Sequence, residues 1–368
     1  MKLRKLTAEN YRNIERCEIV FSDGLNLLLG KNAEGKTNVA EAIYLFSRGR
    51  SFRTADDRDL VKFGCEGFRV SIEYEDKDGI EKLEYAMFGK TRSRKKNGYK
   101  LKSVSEMLGN FRSVLFYPDD LRLVKGEPEE RRAFLNVAIS QCTPIYLEDY
   151  KRFKTALENR NAILKNAAKG LYYDEGELLA WSEIMAEASA GLYIERKKYV
   201  EKLFCYAKEH ILNLSLGKEN IKLSYKSDIN GEYSDKTDII KEYVRVYTDG
   251  IEREKCAGTS LYGPQRDDLI IELNGNAARG FASQGQQRSI VLALKLAEGE
   301  VLKEIYGEYP VFLFDDVLSE LDEDRRKYVA GRLEKIQTVI TACEGADGFN
   351  EQINLILVDG GKYVPAHR

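Results

Sequence analysis

The segment Gly30-Lys31-Asn32-Ala33-Glu34-Gly35-Lys36-Thr37 constrains this chain more than any other. It fits G-x-x-x-x-G-K-[ST] at every fixed position. Apolar Leu25–Leu29 reads as a buried strand entering it. Val39, Ala40, Ile43 and Phe46 give the leaving segment, from Lys36 to about Phe46, a helical apolar face. Glycines let backbone N–H groups turn inward as an anion nest, and the helix N-terminus adds partial positive charge. Lys36 then reaches the β- and γ-phosphates of a nucleoside triphosphate, and Thr37 offers its hydroxyl to Mg²⁺. The bland alternative is a chance glycine-rich turn, which would need neither the strand nor the helix.

A partner motif lies far along the chain. Val311-Phe312-Leu313-Phe314-Asp315-Asp316 is an apolar run ending in two carboxylates, as a central parallel strand of a nucleotide-hydrolysing sheet requires. Asp315 at the strand tip would hold Mg²⁺ through water, and Asp316 stands where a general base would orient the attacking water. Alone, the run could be a strand followed by a solvated turn. Together with Gly30–Thr37 it predicts ATP hydrolysis, with Lys36 and Asp316 as the catalytic pair and Thr37 and Asp315 as the metal-holding pair.

Composition narrows what else the chain does. Lys and Arg number 58 against 60 Asp and Glu, so the net charge is −2 and any nucleic-acid contact must come from a local patch. Only two histidines are present, His210 and His367, which argues against His-centred catalysis or a His-rich metal site. The six cysteines are too far apart for a CxxC redox pair or a zinc knuckle, and are expected to be reduced thiols. No apolar run approaches the ~20 residues that span a bilayer, and the opening MKLRKLTAEN does not read as a signal peptide. A cytoplasmic protein without membrane contact is the expectation.

Strand and helix signals bracket a helical middle. Residues 1–30, 68–90, 221–226, 269–273, 311–314 and 338–341 read as strands, with turns at Asp76–Gly79 and Asn97-Gly98. Tyr146, Tyr150, Phe153 and Leu157 form one helical stripe; Trp181, Met185, Ala188, Leu192, Tyr199, Leu203 and Tyr206 form another. The turn-rich stretch Asn166–Gly176 between them predicts a helical hairpin. The expected architecture is an α/β head assembled from residues 1–128 and 208–368, with a helical domain, 129–207, inserted as a short coiled-coil-like arm.

A third motif sets the subclass. Ala282-Ser283-Gln284-Gly285-Gln286-Gln287-Arg288 opens a predicted helix ahead of the Val311 strand. It resembles the ABC-type signature LSGGQ, with Ser283, Gly285 and Gln286 matching and Gln284 in place of the first Gly. Such a segment reads the γ-phosphate held by a second subunit through a serine hydroxyl, a glycine backbone and a helix N-terminus. The plain alternative is a Ser N-cap on a surface helix. Ser319-Glu320-Leu321-Asp322 falls at the D-loop position, with Ser319 and Asp322 as its candidate residues.

The whole set resembles the RecF family of DNA recombination and repair ATPases in the ABC/SMC-like group. Further carriers are Asn10-Tyr11-Arg12-Asn13, Ser51-Phe52-Arg53, Phe116–Leu121, Gly126–Arg132 and Gly263-Pro264-Gln265-Arg266-Asp267-Asp268. The resemblance implies an ABC-type P-loop ATPase head and ATP with Mg²⁺ as ligands. It implies ATP contacts from Arg12, Asn13, Gly30–Thr37 and Asn38, and an ATP-dependent homodimer on duplex DNA at gaps or single/double-strand junctions. It also implies RecR and RecO as partners in recombinase loading. The chain departs from the general ABC pattern twice. Tyr117–Asp120 stands where a Q-loop glutamine belongs, and Ile340-Thr341-Ala342-Cys343 stands where a switch histidine belongs. The missing histidine suits a slow, switch-like ATPase.

The DNA-facing surface is open at this level. Lys90–Lys102 holds seven positive charges and no acidic residue, including Arg94, Lys95 and Lys96. It reads either as a solvated hairpin or as a phosphate-contacting strand pair. Arg50 and Arg53, just after the P-loop helix, could couple DNA to the nucleotide or be structural. Three rival readings are a transporter's nucleotide-binding subunit, an SMC-type chromosome organiser and a scaffold that no longer hydrolyses ATP. The first is expected to carry the missing glutamine and histidine. The second needs far longer heptads. The third is opposed by Asp315 and Asp316 both being present.

Overall fold

The computed structural model describes residues 1–317, 321–334, 336–343 and 353–366. By contact the chain divides into two units. The first comprises Met1–Leu121, Tyr206–Asn220 and Ser283–Arg368; the second comprises Arg122–Cys205 and Ile221–Ala282.

The first unit holds two six-stranded sheets. One is antiparallel, in the order β2 (Ile14–Val20), β1 (Lys2–Tyr11), β4 (Gly67–Asp76), β5 (Gly79–Phe88), β6 (Thr91–Lys96), β7 (Tyr99–Lys100). Its strands alternate: Leu3, Leu6, Ala8 and Tyr11, then Phe68, Val70, Ile72 and Tyr74, then Leu83, Tyr85 and Met87 are all buried, as one covered face requires. Both expected turns are present: β4 and β5 pair from Asp76↔Gly79, and Asn97-Gly98, both at positive φ, join β6 to β7.

The other sheet follows the order β15 (Lys362–Ala366), β14 (Asn354–Asp359), β3 (Leu25–Leu29), β13 (Thr338–Ala342), β12 (Val311–Asp315), β8 (Ser113–Phe116). Its five strands from β14 to β8 are parallel; only β15 runs back. Every residue of β12 is buried, which explains its unbroken apolar run. Register pairs Asp315 with Thr341 and Ala342 with Leu29, so the C-terminal ends of β12, β13 and β3 lie side by side. That edge is where ligands bind in open parallel sheets.

The second unit is helical with one small sheet in the order β11 (Asn276–Ala277), β10 (Asp268–Leu273), β9 (Ile221–Lys226). Helices Pro128–Cys142 and Pro144–Ala168 precede a 40-residue helix, Glu175–Leu214, whose last residues belong to the first unit. That helix runs past residue 207, where the expected insertion ends. The unit is also larger than the expected 129–207 insertion, because 221–282 joins it rather than the head. Two fully buried arginines give the reason. Arg160, on the helix Pro144–Ala168, donates to Ser182, to Ser260 and to the buried carboxylate of Glu254. Arg196, on the long helix, donates to the carbonyl of Pro264 at 2.8 Å and to Asn136 at 2.9 Å. The later segment thus supplies the polar groups that these buried cations need. Among the described residues no helix is long and apolar enough to cross a membrane.

Candidate nucleotide-binding site

The P-loop leaves β3 and enters the helix Lys36–Arg48. Its first and last glycines are required by space. A Cβ on Gly30 would collide with the carbonyl oxygen of Val358. Gly35 has φ +115°, and a Cβ there would lie 2.8 Å from both Asn13 Oδ1 and Tyr363 OH. Lys36 is buried, with its ammonium donating to the carbonyls of Gly30 (2.7 Å) and Lys31 (2.8 Å).

Beside the loop, one carboxylate oxygen ties three elements together. Asp315 Oδ1 accepts from Thr37 Oγ1 at 2.9 Å and from Thr341 Oγ1 at 2.8 Å. Burial pushes the Asp315 carboxyl up from its ordinary value, against the pull of the two hydroxyls. Asp316 follows at φ +55°, a conformation held by its N–H on Thr341 O (3.3 Å) and Oγ1 (3.1 Å). Asn13, Asn32, Ala33, Gly35, Lys36, Thr37, Asn38, Arg53, Asp316 and Thr341 line a cleft of about 380 Å³.

Behind the cleft the fully buried Glu41 acts as a hub. Arg12 clamps it with Nε at 2.9 Å and Nη2 at 2.6 Å; Ser51 donates to it, and Arg53 stands 3.6 Å away. Arg53 also donates to Asn38 Oδ1, and Asn38 to Asn13 Oδ1. The chain therefore brings Asn13, Asn38 and Arg53 to the cleft and engages Arg12 on Glu41. Glu34 turns the other way. Its carbonyl accepts from Gly361 N–H and Asn13 Nδ2, and its carboxylate from Gly360 N–H. Tyr363 OH donates to Gly35 O at 3.1 Å.

This C-terminal hairpin, the hub Glu41 and the bridging Thr341 escaped the sequence reading. The hairpin has no motif. Thr341 had a usable signal, a hydroxyl residue at the end of a strand paired with the P-loop strand.

The two segments that depart from the ABC pattern have definite contacts. Cys343, at the end of Ile340–Cys343, has Sγ 2.8 Å from Asn32 Oδ1 and 3.5 Å from Lys36 Nζ. Asp120, at the end of Tyr117–Asp120, is buried. It accepts from Tyr117 N–H and faces the buried Lys295 at 3.5 Å.

The signature segment is an N-cap in this chain. Ser283 Oγ accepts from Gln286 N–H, and Gln286 Oε1 accepts from Ser283 N–H, a reciprocal capping box on the helix Gln284–Tyr306. Ser283 is exposed, and neither it nor Gly285 or Gln286 lines the cleft of its own chain. Asp322 caps the helix Glu323–Leu333 and pairs with Arg325, whose Nε donates to Ser289 Oγ at 2.7 Å. The D-loop position and the signature helix are thereby joined. Ser319 lies outside the described residues.

The basic run forms β6, β7 and their flanks. Arg92 pairs with Asp57, Lys96 with Glu81 at 2.6 Å, and the Arg94 guanidinium lies 4.7 Å over the Tyr85 ring. Lys90, Lys95, Lys100 and Lys102 are exposed and carry no side-chain ion pair among the described residues. Arg50 is exposed at the end of the P-loop helix.

Comparisons with known proteins agree with this geometry. Residues 2–345 match the RecF/RecN/SMC N-terminal domain family. The chain is 40% identical over 345 residues to the DNA replication and repair protein RecF of Limosilactobacillus fermentum, covering 93% of this chain and 92% of that one. It is 36% identical over 355 residues to RecF of Macrococcus caseolyticus, covering 96% of each. A solved structure of the recombination mediator protein RecF-ATP in the RecFOR pathway superposes with TM-score 0.92 at 34% identity, covering 100% of this chain and 98% of the other. An Smc head domain from Pyrococcus furiosus shares the fold, with TM-score 0.58 at 18% identity and coverage of 99% and 96%. The ABC-type ATPase head with a helical insertion, expected from the motifs, is the fold found.

The buried carboxylate of Asp315 makes a prediction about stability. A carboxyl whose folded-state value is raised costs stability when ionised, and the cost fades as pH falls toward about 4. Asp315→Asn keeps the acceptor for both threonine hydroxyls and removes the charge. Without nucleotide it should melt above the parent at pH 7, with the gain shrinking toward pH 4. Melting below the parent at pH 7 would contradict this account of Asp315.

Proposed function

The chain belongs to the RecF family, and on that footing we propose that it is an ATP-dependent DNA-binding protein of recombinational gap repair. ATP binding joins two copies head to head on DNA, and slow hydrolysis releases them. One separation carries the reading. The cleft is lined by Lys36, Thr37, Arg53 and Asp316, yet the signature segment at its own helix N-terminus does not line it. A γ-phosphate in the cleft would meet a signature only on a second copy. The names of the relatives, DNA replication and repair proteins, and of the RecF-ATP structure support the DNA and ATP parts. DNA, RecR and RecO as partners, and the cytoplasm as location, follow from the family.

The residues fit ATP and Mg²⁺. The cleft lining offers the Lys36 ammonium, the Arg53 guanidinium and the Asn13 and Asn38 amides as donors to phosphate oxygens. The Thr37 hydroxyl and the Asp315 carboxylate are hard oxygen donors of the kind Mg²⁺ takes. Among the described residues there is no cluster of three or more His, Cys, Asp or Glu, so the ion would rest on Thr37, on Asp315 through water, and on the nucleotide. When bound, Mg²⁺ neutralises charge on the β- and γ-oxygens.

The chain's own groups do the rest. Backbone N–H groups of Gly30–Thr37 cradle phosphate oxygens, and Lys36 exchanges its loop carbonyls for them. Asp316 orients the water that attacks the γ-phosphorus as the bond to ADP breaks, and accepts its proton. Thr341 holds the Asp315 carboxylate through its hydroxyl, and accepts the Asp316 backbone N–H on its hydroxyl and carbonyl oxygens. Cys343 in place of a switch histidine leaves the γ-phosphate without an imidazole, in keeping with slow turnover.

Ser283→Arg puts a long cation where a partner's phosphate must approach closely. It should bind ATP as the parent does, because Gly30–Thr37 is untouched, and fail to dimerise on a slowly hydrolysed ATP analogue in sedimentation velocity. Normal dimerisation would remove the signature role. Asp316→Asn should keep ATP affinity, lower steady-state turnover at least ~100-fold and lengthen the dimer's lifetime. Unchanged turnover would remove Asp316 from the chemistry.

A further inference from the structure

Phe63 is fully exposed, with a relative exposure of 102%. It does not sit on a loose loop. Lys62 O accepts from Cys65 N–H at 3.0 Å, so Phe63 and Gly64 are the central residues of a tight turn, and Gly64 supplies the positive φ of +84° that a type II turn requires. The turn is pinned at its base. Lys62 N–H donates to Asn10 O, Arg12 N–H donates to Leu60 O, and Val61 bridges to Tyr11. An apolar ring is thus presented to solvent on a fixed mount a few residues from Arg12 and the Glu41 hub.

The neighbouring turn adds to it. Gly89 N–H donates to Glu66 O, which places the Phe88–Thr91 turn beside the Phe63 turn. Phe88 is 55% exposed, and the unpaired Lys90 and the rest of the basic strip along β6 and β7 begin there. Of the nearby acids, Asp57 pairs with Arg92, Asp56 with Arg58 and Glu84, opposite Lys95, with Lys82, while Glu66 is exposed without an ion pair among the described residues. Aromatic rings at the head of a track of cations are what single-stranded nucleic acid needs, with bases stacking and phosphates paired. A protein partner would favour apolar surface without the long run of unpaired lysines.

We propose that Phe63, with Phe88 beside it, is a stacking site for an unpaired nucleobase, while Lys90, Lys95 and Lys100 hold the adjoining phosphates. This rests on the DNA-binding reading above and deepens it, since it makes the end of a duplex with an overhang a better ligand than a blunt one.

The test uses the full chain with ATP and short DNA duplexes, blunt or carrying a single-stranded overhang. Trp181 is the one native tryptophan, so Phe63→Trp in a Trp181→Phe background reports stacking by fluorescence quenching. Quenching by the overhang duplex and not by the blunt one is expected. Phe63→Ala should lose about tenfold in affinity for the overhang duplex, keep its affinity for the blunt one, and be rescued by Phe63→Tyr. Equal quenching by both duplexes, or unchanged overhang affinity in Phe63→Ala, overturns the stacking site and leaves DNA binding standing. Failure of the parent to bind any duplex with ATP overturns the DNA-binding reading itself, and the stacking site with it.

Discussion

The nucleotide site depends on the hydrogen bonds that converge on Asp315 Oδ1. Thr37 reaches it from the P-loop helix and Thr341 from the end of β13. Both bonds are buried beside a carboxylate that has lost its water, and that loss outweighs them in the raised value of the Asp315 carboxyl. Their geometric effect matters more than their strength. They fix where β12, β13 and the P-loop helix end relative to one another. They also place Asp316, whose strained backbone is held by the same Thr341.

Two supports hold the P-loop from outside. Glu41 is a carboxylate without solvent access, and the guanidinium of Arg12 and the hydroxyl of Ser51 satisfy it; removing Arg12 would leave this buried charge with Ser51 and the more distant Arg53 alone. On the other side, the hairpin of β14 and β15 grips Glu34 and Gly35 through Gly361 and Tyr363. The Arg12 assigned to ATP by resemblance therefore has structural work in this chain, and Arg53 is the guanidinium that lines the cleft.

Local patterns in the sequence exposed the parts whose physics is local. Gly30–Thr37, the buried run Val311–Asp315, the Asn97-Gly98 turn and the helix opened by Ser283 each need only neighbours in sequence, and each is where the reading placed it. Interactions between separate elements, from 26 to 328 residues apart, are not legible. Thr341 with Asp315, Tyr363 with Gly35 and Arg325 with Ser289 follow from sheet order and helix packing. The extent of the second unit was misjudged for the same reason. Residues 221–282 look like head strands until Arg160 and Arg196 are seen to draw Glu254, Ser260 and Pro264 toward the helices. In the basic run, charge counting identified the patch but not which cations are spent on Asp57, Glu81 and Tyr85.

The central claim is that one copy's cleft is completed by the other copy's signature. Mixing two inactive variants tests it most directly. Lys36→Met spoils the cleft and keeps the signature; Ser283→Arg does the reverse. In a mixed dimer one composite site pairs the intact cleft with the intact signature, and the other site is doubly spoiled. The account predicts ATP hydrolysis by the mixture well above the sum of the two variants measured separately. A mixture no more active than that sum, under conditions where sedimentation shows mixed dimers forming, would contradict a site shared between two copies.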